Sequence, residues 1–439
     1  MPCVPHDGAV FGGWRGAAMS WLNRHLPGRT VRGRPLRPRH CRRYGYPGIV
    51  GHGNPTTGMK KTFSEEMGQS VRSSLIRFQK ALRNQGLSGA VVAAPEALSS
   101  TNLRYLSGFT GSSGYLVVSP EKAWILTDFR YTEQAKAECS DFEVVIGKSV
   151  VETIALICRE QRIDVLGWEA DKVPYETWQE WNDTIPVVWR PLNRLIETLR
   201  MVKSDNEINK IREAARIAGE SLMEVLPSLI GRREVDVALD LEIAMRRRGA
   251  ESLGFPTIVG AGERGALPHA HPTERVIGPG ELVTIDFGAQ VDGYKSDETI
   301  TIATGAIPAR LREIWDIVAE AQQRGIGAIK PGVSTRDVDS AAREFIAGRG
   351  YGEYFGHGTG HGVGLDIHES PFASQDSGQQ RTLEVGMTIT VEPGIYIPGL
   401  GGVRLEDTLV VTEDGSERLT IVPKYFQNIG VVHWSQKSE

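Results

Sequence analysis

No apolar run in the chain approaches the roughly 20 residues of a membrane-spanning helix, so no membrane helix is expected. Cysteine is scarce, four in 439 residues, and Cys3, Cys41, Cys139 and Cys158 fall in no Cys-x-x-Cys or zinc-ligand spacing. A disulfide scaffold and a thiolate metal site are thereby excluded, and a reducing cytoplasm is the expected compartment. Acids are nearly missing from residues 1–60, which hold nine arginines, one lysine and only Asp7 against them, a net +9 that leaves −13 on the remainder. That segment also lacks apolar periodicity and is rich in proline and glycine, so residues 1–66 are expected to be a disordered, dispensable tail, with Met59 or Met67 the expected true start. Arg42-Arg43 suggests an export signal, but no apolar stretch follows it. Neither a nucleic-acid nor a membrane partner is expected.

What the rest of the chain does have is a dense cluster of glycine and histidine, Phe355-Gly-His-Gly-Thr-Gly-His-Gly-Val-Gly-Leu-Asp-Ile-His368. Glycines at that density suit a backbone with unusual dihedrals that something must approach closely. His357, His361 and His368 carry imidazoles, the side chains suited to metal binding and proton transfer near neutral pH. A glycine-rich surface loop with incidental histidines is the bland alternative. Four acids stand in strand-like runs of the same half: Asp286 in Leu282-Val-Thr-Ile-Asp-Phe, Asp297 after an Asp292-Gly293 turn, Glu392 in Thr-Val-Glu-Pro-Gly and Glu406 in Val403-Arg-Leu-Glu. Acids are seldom buried unpaired, so one alone would read as solvated. Four acids and a histidine together read as a site for two divalent cations, whose charge makes buried carboxylates tolerable.

At these residues the chain resembles the creatinase-fold, or pita-bread, metallopeptidases. Asp286, Asp297, His361, Glu392 and Glu406 match that family's metal ligands in order and context. Val391-Glu-Pro-Gly-Ile-Tyr396 and Gly402-Val-Arg-Leu-Glu-Asp407 resemble its Xaa-Pro aminopeptidase and Xaa-Pro dipeptidase (prolidase) branch. The resemblance implies an α+β protein of two domains. Residues 67–198 would form an amino-terminal α/β domain, and 199–435 a pseudo-twofold pita-bread domain whose curved, mainly antiparallel sheet is covered by helices. It implies two divalent metal ions, Mn2+ or Co2+ before Fe2+ or Zn2+, a homodimer, and a peptide substrate with proline in the second position. Xaa-Pro aminopeptidase is the expected activity and Xaa-Pro dipeptidase the alternative, with a non-metal creatinase-type hydrolase or a binding protein further off. By the same resemblance Glu392 ligates metal and passes a proton to the leaving nitrogen, while His269 and His368 flank the substrate and steady its carbonyl. His357 and Arg404 would complete the substrate pocket; His271 has no match. The family's Ser-Asp-x-Thr-Arg-Thr run reads Ser296-Asp-Glu-Thr-Ile-Thr301 here, with Ile300 in place of arginine.

Periodicity adds a domain plan. Ser204-Asp-Asn-Glu207 is a capping box, and Ile208, Ile211, Ala215, Ala218, Leu222 and Val225 then repeat at helical spacing. A second helix is expected from Arg233-Glu-Val-Asp236 to about Gly249. Helices over 309–329 and from Arg336-Asp-Val-Asp339 to about Gly350 echo that pair, each followed by a strand and a histidine-bearing loop. Such a duplication predicts one curved sheet under four helices with acids of both halves facing a shared cleft. Asp128 and Arg130, in Asp128-Phe-Arg-Tyr131, are expected to form a local ion pair.

Overall fold

The computed structural model describes residues 71–96, 101–147 and 149–429. The basic segment, with the expectations attached to it, lies outside them. Between residues 89 and 191, strands β1 (Gly89–Ala94), β2 (Gly114–Val118), β3 (Ala123–Thr127), β4 (Glu143–Ile146), β5 (Val165–Trp168) and β6 (Val188–Pro191) form one sheet in the order β4-β3-β2-β1-β5-β6. β1, β2 and β3 run antiparallel to their neighbours in that trio, whereas β3–β4, β1–β5 and β5–β6 are parallel. The central strands are apolar on both faces because both are covered. Ala90 and Val92 meet Leu75, Phe78 and Leu82 of helix α1 (71–84) and Leu103 and Leu106 of α2 (Thr101–Ser107), while Val91 and Ala93 meet Ile154 and Ile157 of α4 (Val150–Gln161) and Trp181 of α5 (Tyr175–Thr184). Helix α3 (Thr132–Glu138) follows β3 and packs beside β4. The expected pair of Asp128 and Arg130 forms at 2.8 Å on the surface.

Helix α6 (Leu195–Met201) then leads to α7 (Asp205–Val225), opened by the predicted capping box: Glu207 N–H donates to the Ser204 hydroxyl, and the Glu207 carboxylate accepts from Ser204 N–H. α7 and α8 (Glu234–Arg247) cover the sheet of β8 (Ile258–Ala261), β9 (Leu282–Phe287) and β12 (Glu298–Ala303). β7 (Ser252–Leu253), β10 (Ala289–Val291) and β11 (Tyr294–Lys295) make a small ribbon beside it. Its tip is the predicted Asp292-Gly293 turn, where φ is +49° and +83°, the left-handed pair that a two-residue hairpin of this twist requires. Helices α9 (Ala309–Ala328) and α10 (Thr335–Gly348) repeat the arrangement. They cover β13 (Gly360–Gly362), β14 (Glu369–Ala373), β15 (Thr388–Val391), β16 (Gly394–Ile397), β17 (Gly401–Arg404) and β18 (Asp407–Val411), with β19 (Ser416–Arg418) at the edge. Each Leu or Ile fully buried between helix and sheet contributes about 1.5–3 kcal/mol, so these two apolar seams fix where the helices lie.

One detail departs from the sequence-based expectation. The strands of the second half form several short antiparallel sheets and not one continuous ladder. The pieces are stitched by bonds such as Arg404 N–H to Thr301 Oγ1, 3.1 Å, and the Thr301 hydroxyl to Arg404 O, 2.9 Å. Ile300, the residue in place of the family's arginine, is 2 % exposed among Ile285, Leu241 and Met245 under α7 and α8. Strand alternation turns Thr299 and Thr301 toward the cleft and Ile300 away from it, so its role is packing.

Candidate active site

Asp286 lies within β9, with Thr299 of β12 opposite it. The other three acids were expected inside strands but sit at strand ends: Asp297 just before β12, Glu392 just after β15, and Glu406 between β17 and β18. The cause is the seam between sheets. There the backbone bonds across pieces, Glu392 N–H to Thr359 O at 2.7 Å and Glu406 N–H to Thr299 O at 3.0 Å, and this brings acids of both halves onto one face. The residues that follow Asp297 and Glu406 turn to the opposite side, where Glu298 and Asp407 share the buried ammonium of Lys424 at 2.5 and 3.3 Å.

The glycine-histidine stretch delivers His361 to the same face. A Cβ at Gly360 would collide with the carbonyl of Thr390, so only glycine allows β13 this close to β15. The His361 Nδ1–H donates to Gly362 O at 3.1 Å, which directs Nε2 at the acids, 3.3 Å from Glu392 and 3.6 Å from Asp297. Donor atoms of Asp297, His361 and Glu406 all lie within 4.8 Å of one another, and Asp286 and Glu392 flank them.

Electrostatics show what this donor set needs. Burial, followed by repulsion from neighbouring carboxylates, pushes Asp297 and Glu406 well above the usual carboxylate range. Burial raises Asp286 too, despite the Arg404 charge beside it. Burial would also raise Glu392, but its hydrogen bond to His361 and that ring's charge hold it at about 2. Four carboxylates so placed cannot all be charged without added cations. Asp286 Oδ1, buried with no hydrogen-bond partner, is left with a lone pair for one. The residues therefore fit a divalent metal centre of oxygen donors and one imidazole.

His269, Asp286, Asp297, His357, His361, His368, Glu392, Arg404 and Glu406 line a single cavity of about 470 Å³, so the predicted site residues are all brought together. His271, which sequence left without a role, lines it as well. His269 and His368 are exposed to the cavity, and the His368 ring stands edge-to-face on His361 with centroids 4.4 Å apart. Burial, and then the His361 charge, lower the pKa of His368, which keeps its imidazole neutral at neutral pH. Arg404, expected in the substrate pocket, pairs with Asp286 at 2.7 Å, and donates to Tyr396 OH, Thr299 Oγ1 and Pro268 O at 3.1, 3.2 and 2.9 Å. With its donors so committed, Arg404 orders Asp286 and the wall around it.

Sequence reasoning missed the supports. Tyr396 links His357 Nε2, 2.9 Å away, to Arg404, and His357 Nδ1 is occupied by Gly358 O at 2.8 Å. Buried Asp339 on α10 accepts from Thr359 N–H and hydroxyl and from Arg343, whose guanidinium also donates to Phe355 O, so the helix braces the glycine-histidine loop. Glu234 on α8 does the same for the His269 loop, accepting from Ala261 N–H and Thr273 N–H. The repeated motif signalled an acid in each helix, but it aligned Asp236 with Asp339. Asp236 is instead tied to Arg233 at the surface.

Comparison with known proteins agrees with this geometry. Residues 209–413 match metallopeptidase family M24, and residues 75–202 match the creatinase/prolidase N-terminal domain. An uncharacterized peptidase of Bacillus subtilis, YqhT, is 45 % identical over 329 residues, 74 % of this chain and 93 % of that protein. A Xaa-Pro dipeptidase of Pyrococcus furiosus is 37 % identical over 353 residues, 80 % of this chain and 98 % of that protein. Among solved structures, a Xaa-Pro dipeptidase from Bacillus anthracis superposes with a TM-score of 0.76 at 40 % identity, covering 83 % of this chain and 99 % of that one. An X-Pro aminopeptidase from Thermotoga maritima gives 0.74 at 35 % identity, covering 78 % and 98 %.

Proposed function

The chain belongs to metallopeptidase family M24 and is a hydrolase with a pita-bread fold, and from that premise we propose that it cleaves the peptide bond preceding proline in Xaa-Pro dipeptides. The observation that carries the reading is the convergence of Asp297, His361 and Glu406 within 4.8 Å on one wall of the cavity, with Asp286 and Glu392 beside them. The aminopeptidase expected from the sequence gives way here to its alternative, because the relatives in Pyrococcus furiosus and Bacillus anthracis carry the name Xaa-Pro dipeptidase. Aminopeptidase activity stays as a second reading, favoured by the Thermotoga maritima structure. The match of residues 75–202 and 209–413 to separate families supports an amino-terminal domain over 67–198 and a catalytic one over 199–435.

Asp286, Asp297, His361, Glu392 and Glu406 would hold two divalent cations, with Mn2+ or Co2+ suited to so oxygen-rich a set. Such ions supply Lewis acidity toward the scissile carbonyl and a water of lowered pKa. With such ions bound, Glu392 would be the group that takes up a proton in the cavity and passes it to the leaving nitrogen. His368, neutral and open to the cavity, donates one N–H toward the carbonyl oxygen, and His269 faces the same cavity to do likewise. Proline makes the scissile amide tertiary and without an N–H, so that nitrogen offers the site no hydrogen-bond donor.

The test is a panel of Xaa-Pro dipeptides, longer Xaa-Pro peptides and proline-free controls, run on protein loaded with Mn2+ or Co2+. A kcat/KM for dipeptides at least tenfold above that for longer peptides is expected. Preference for the longer peptides restores the aminopeptidase reading, and failure to cleave any Xaa-Pro bond contradicts both.

A further inference from the structure

The exposed ring of His368 is held by little of its own, yet the backbone on both sides of it is anchored in the interior. Asp366 and Glu369 bracket the histidine, and Arg200 of α6, 3 % exposed, reaches both with one nitrogen: Nη2 donates to Asp366 Oδ2 at 2.8 Å and to Glu369 Oε2 at 2.5 Å. The second Glu369 oxygen accepts from Lys203 Nζ at 2.7 Å, and Lys203 is 5 % exposed. The other arm of Arg200 is fixed from the amino-terminal half. Its Nη1 donates to Asn102 Oδ1 at 2.7 Å, and Asn102 in turn donates to Glu169 and Glu197 at 2.6 and 2.8 Å. None of these groups lines the cavity or touches the metal ligands' donor atoms.

We propose that Arg200 is a positioning residue for His368: by clamping Asp366 and Glu369 it sets the direction of the imidazole that faces the substrate carbonyl. A planar guanidinium suits the task, since one group must satisfy two carboxylates and an amide oxygen at fixed angles, which a lysine cannot do. Burial makes the clamp stiff, because a desolvated charge cannot exchange its partners for water. The linker helix and Asn102 thus make the amino-terminal half a part of the reaction geometry. The inference rests on the substrate-side role given above to His368.

A double-mutant cycle tests it, with Arg200→Met and His368→Ala made singly and together and assayed for kcat, KM and metal content on an Xaa-Pro dipeptide. Arg200→Met is expected to lower kcat about tenfold or more with KM and bound metal near wild type, and to cost less than about twofold when His368 is already alanine, since residues acting through one group are not additive. Asp366→Ala, at a partly exposed position, is run in the same cycle and should show the same dependence on His368 should Arg200→Met fail to fold. An equal loss in both backgrounds, no loss in the wild-type background, or a loss of metal makes the clamp merely structural and overturns the proposal. Wild-type kcat for His368→Ala is a different failure, which removes the role of His368 itself and the positioning argument with it.

Discussion

Replacing Glu406 by glutamine is expected to leave a folded protein that hydrolyses almost nothing. Glu406 is 2 % exposed, its Oε2 accepts the Thr299 hydroxyl at 2.6 Å, and its donor oxygen lies within 4.8 Å of those of Asp297 and His361. Glutamine keeps the volume and an acceptor for Thr299 but withdraws a negative charge where cations must be held. Changes one step removed from a metal typically cost 10–100-fold, so loss of a direct ligand should lower activity by at least about a hundredfold and reduce the metal bound per chain. Stability should move the other way. Burial and neighbouring carboxylates already press Glu406 toward its neutral form, so the amide relieves repulsion, and the thermal midpoint in chelator is expected to hold or rise. Wild-type turnover with a full complement of metal in Glu406→Gln would remove Glu406 from the site.

The histidines should fail in two ways. His361 offers Nε2 to the acids while Nδ1–H is spent on Gly362 O, so His361→Ala is expected to lose metal and turnover together. His269 and His368 face the cavity from its walls. Their alanine variants should keep metal and lose turnover by roughly a hundred- to a thousandfold, the usual cost of removing one donor to a developing oxyanion. Elemental analysis beside kinetics on each purified variant separates the two. Loss of metal in His368→Ala with retention in His361→Ala reverses the roles; full activity in all three contradicts the peptidase reading.

Local rules carried much of this fold. The capping box at Ser204, the apolar spacing through Val225 and the Asp292-Gly293 turn each depend on residues within a few positions, and each formed as expected. The four acids and the imidazole could be singled out as candidate donors because acids are unusual in strands and because the run resembles a known ligand set, and the glycine-histidine stretch because nothing structural explains so many glycines. Legibility ended where partners come from far apart. Asp286 and Arg404 are 118 positions apart, and nothing local marks them as partners. The clamp on His368 draws on Asn102, Arg200, Lys203, Asp366 and Glu369, five residues whose meeting only the packed fold determines. Glu234 and Asp236 look equivalent in the helix motif, and only burial against the His269 loop selects Glu234. Strand patterning also placed three acids inside strands when they sit at ends, since alternation marks a face but not where a ladder breaks.

Titrating the metal-free protein with Mn2+ while following hydrolysis of a Xaa-Pro dipeptide tests the central claim most directly. Activity should be absent at the start, rise with added metal and saturate at two ions per chain, as five ligands around two cations require. Full hydrolysis by the metal-free protein, or no hydrolysis with two ions bound, would contradict it.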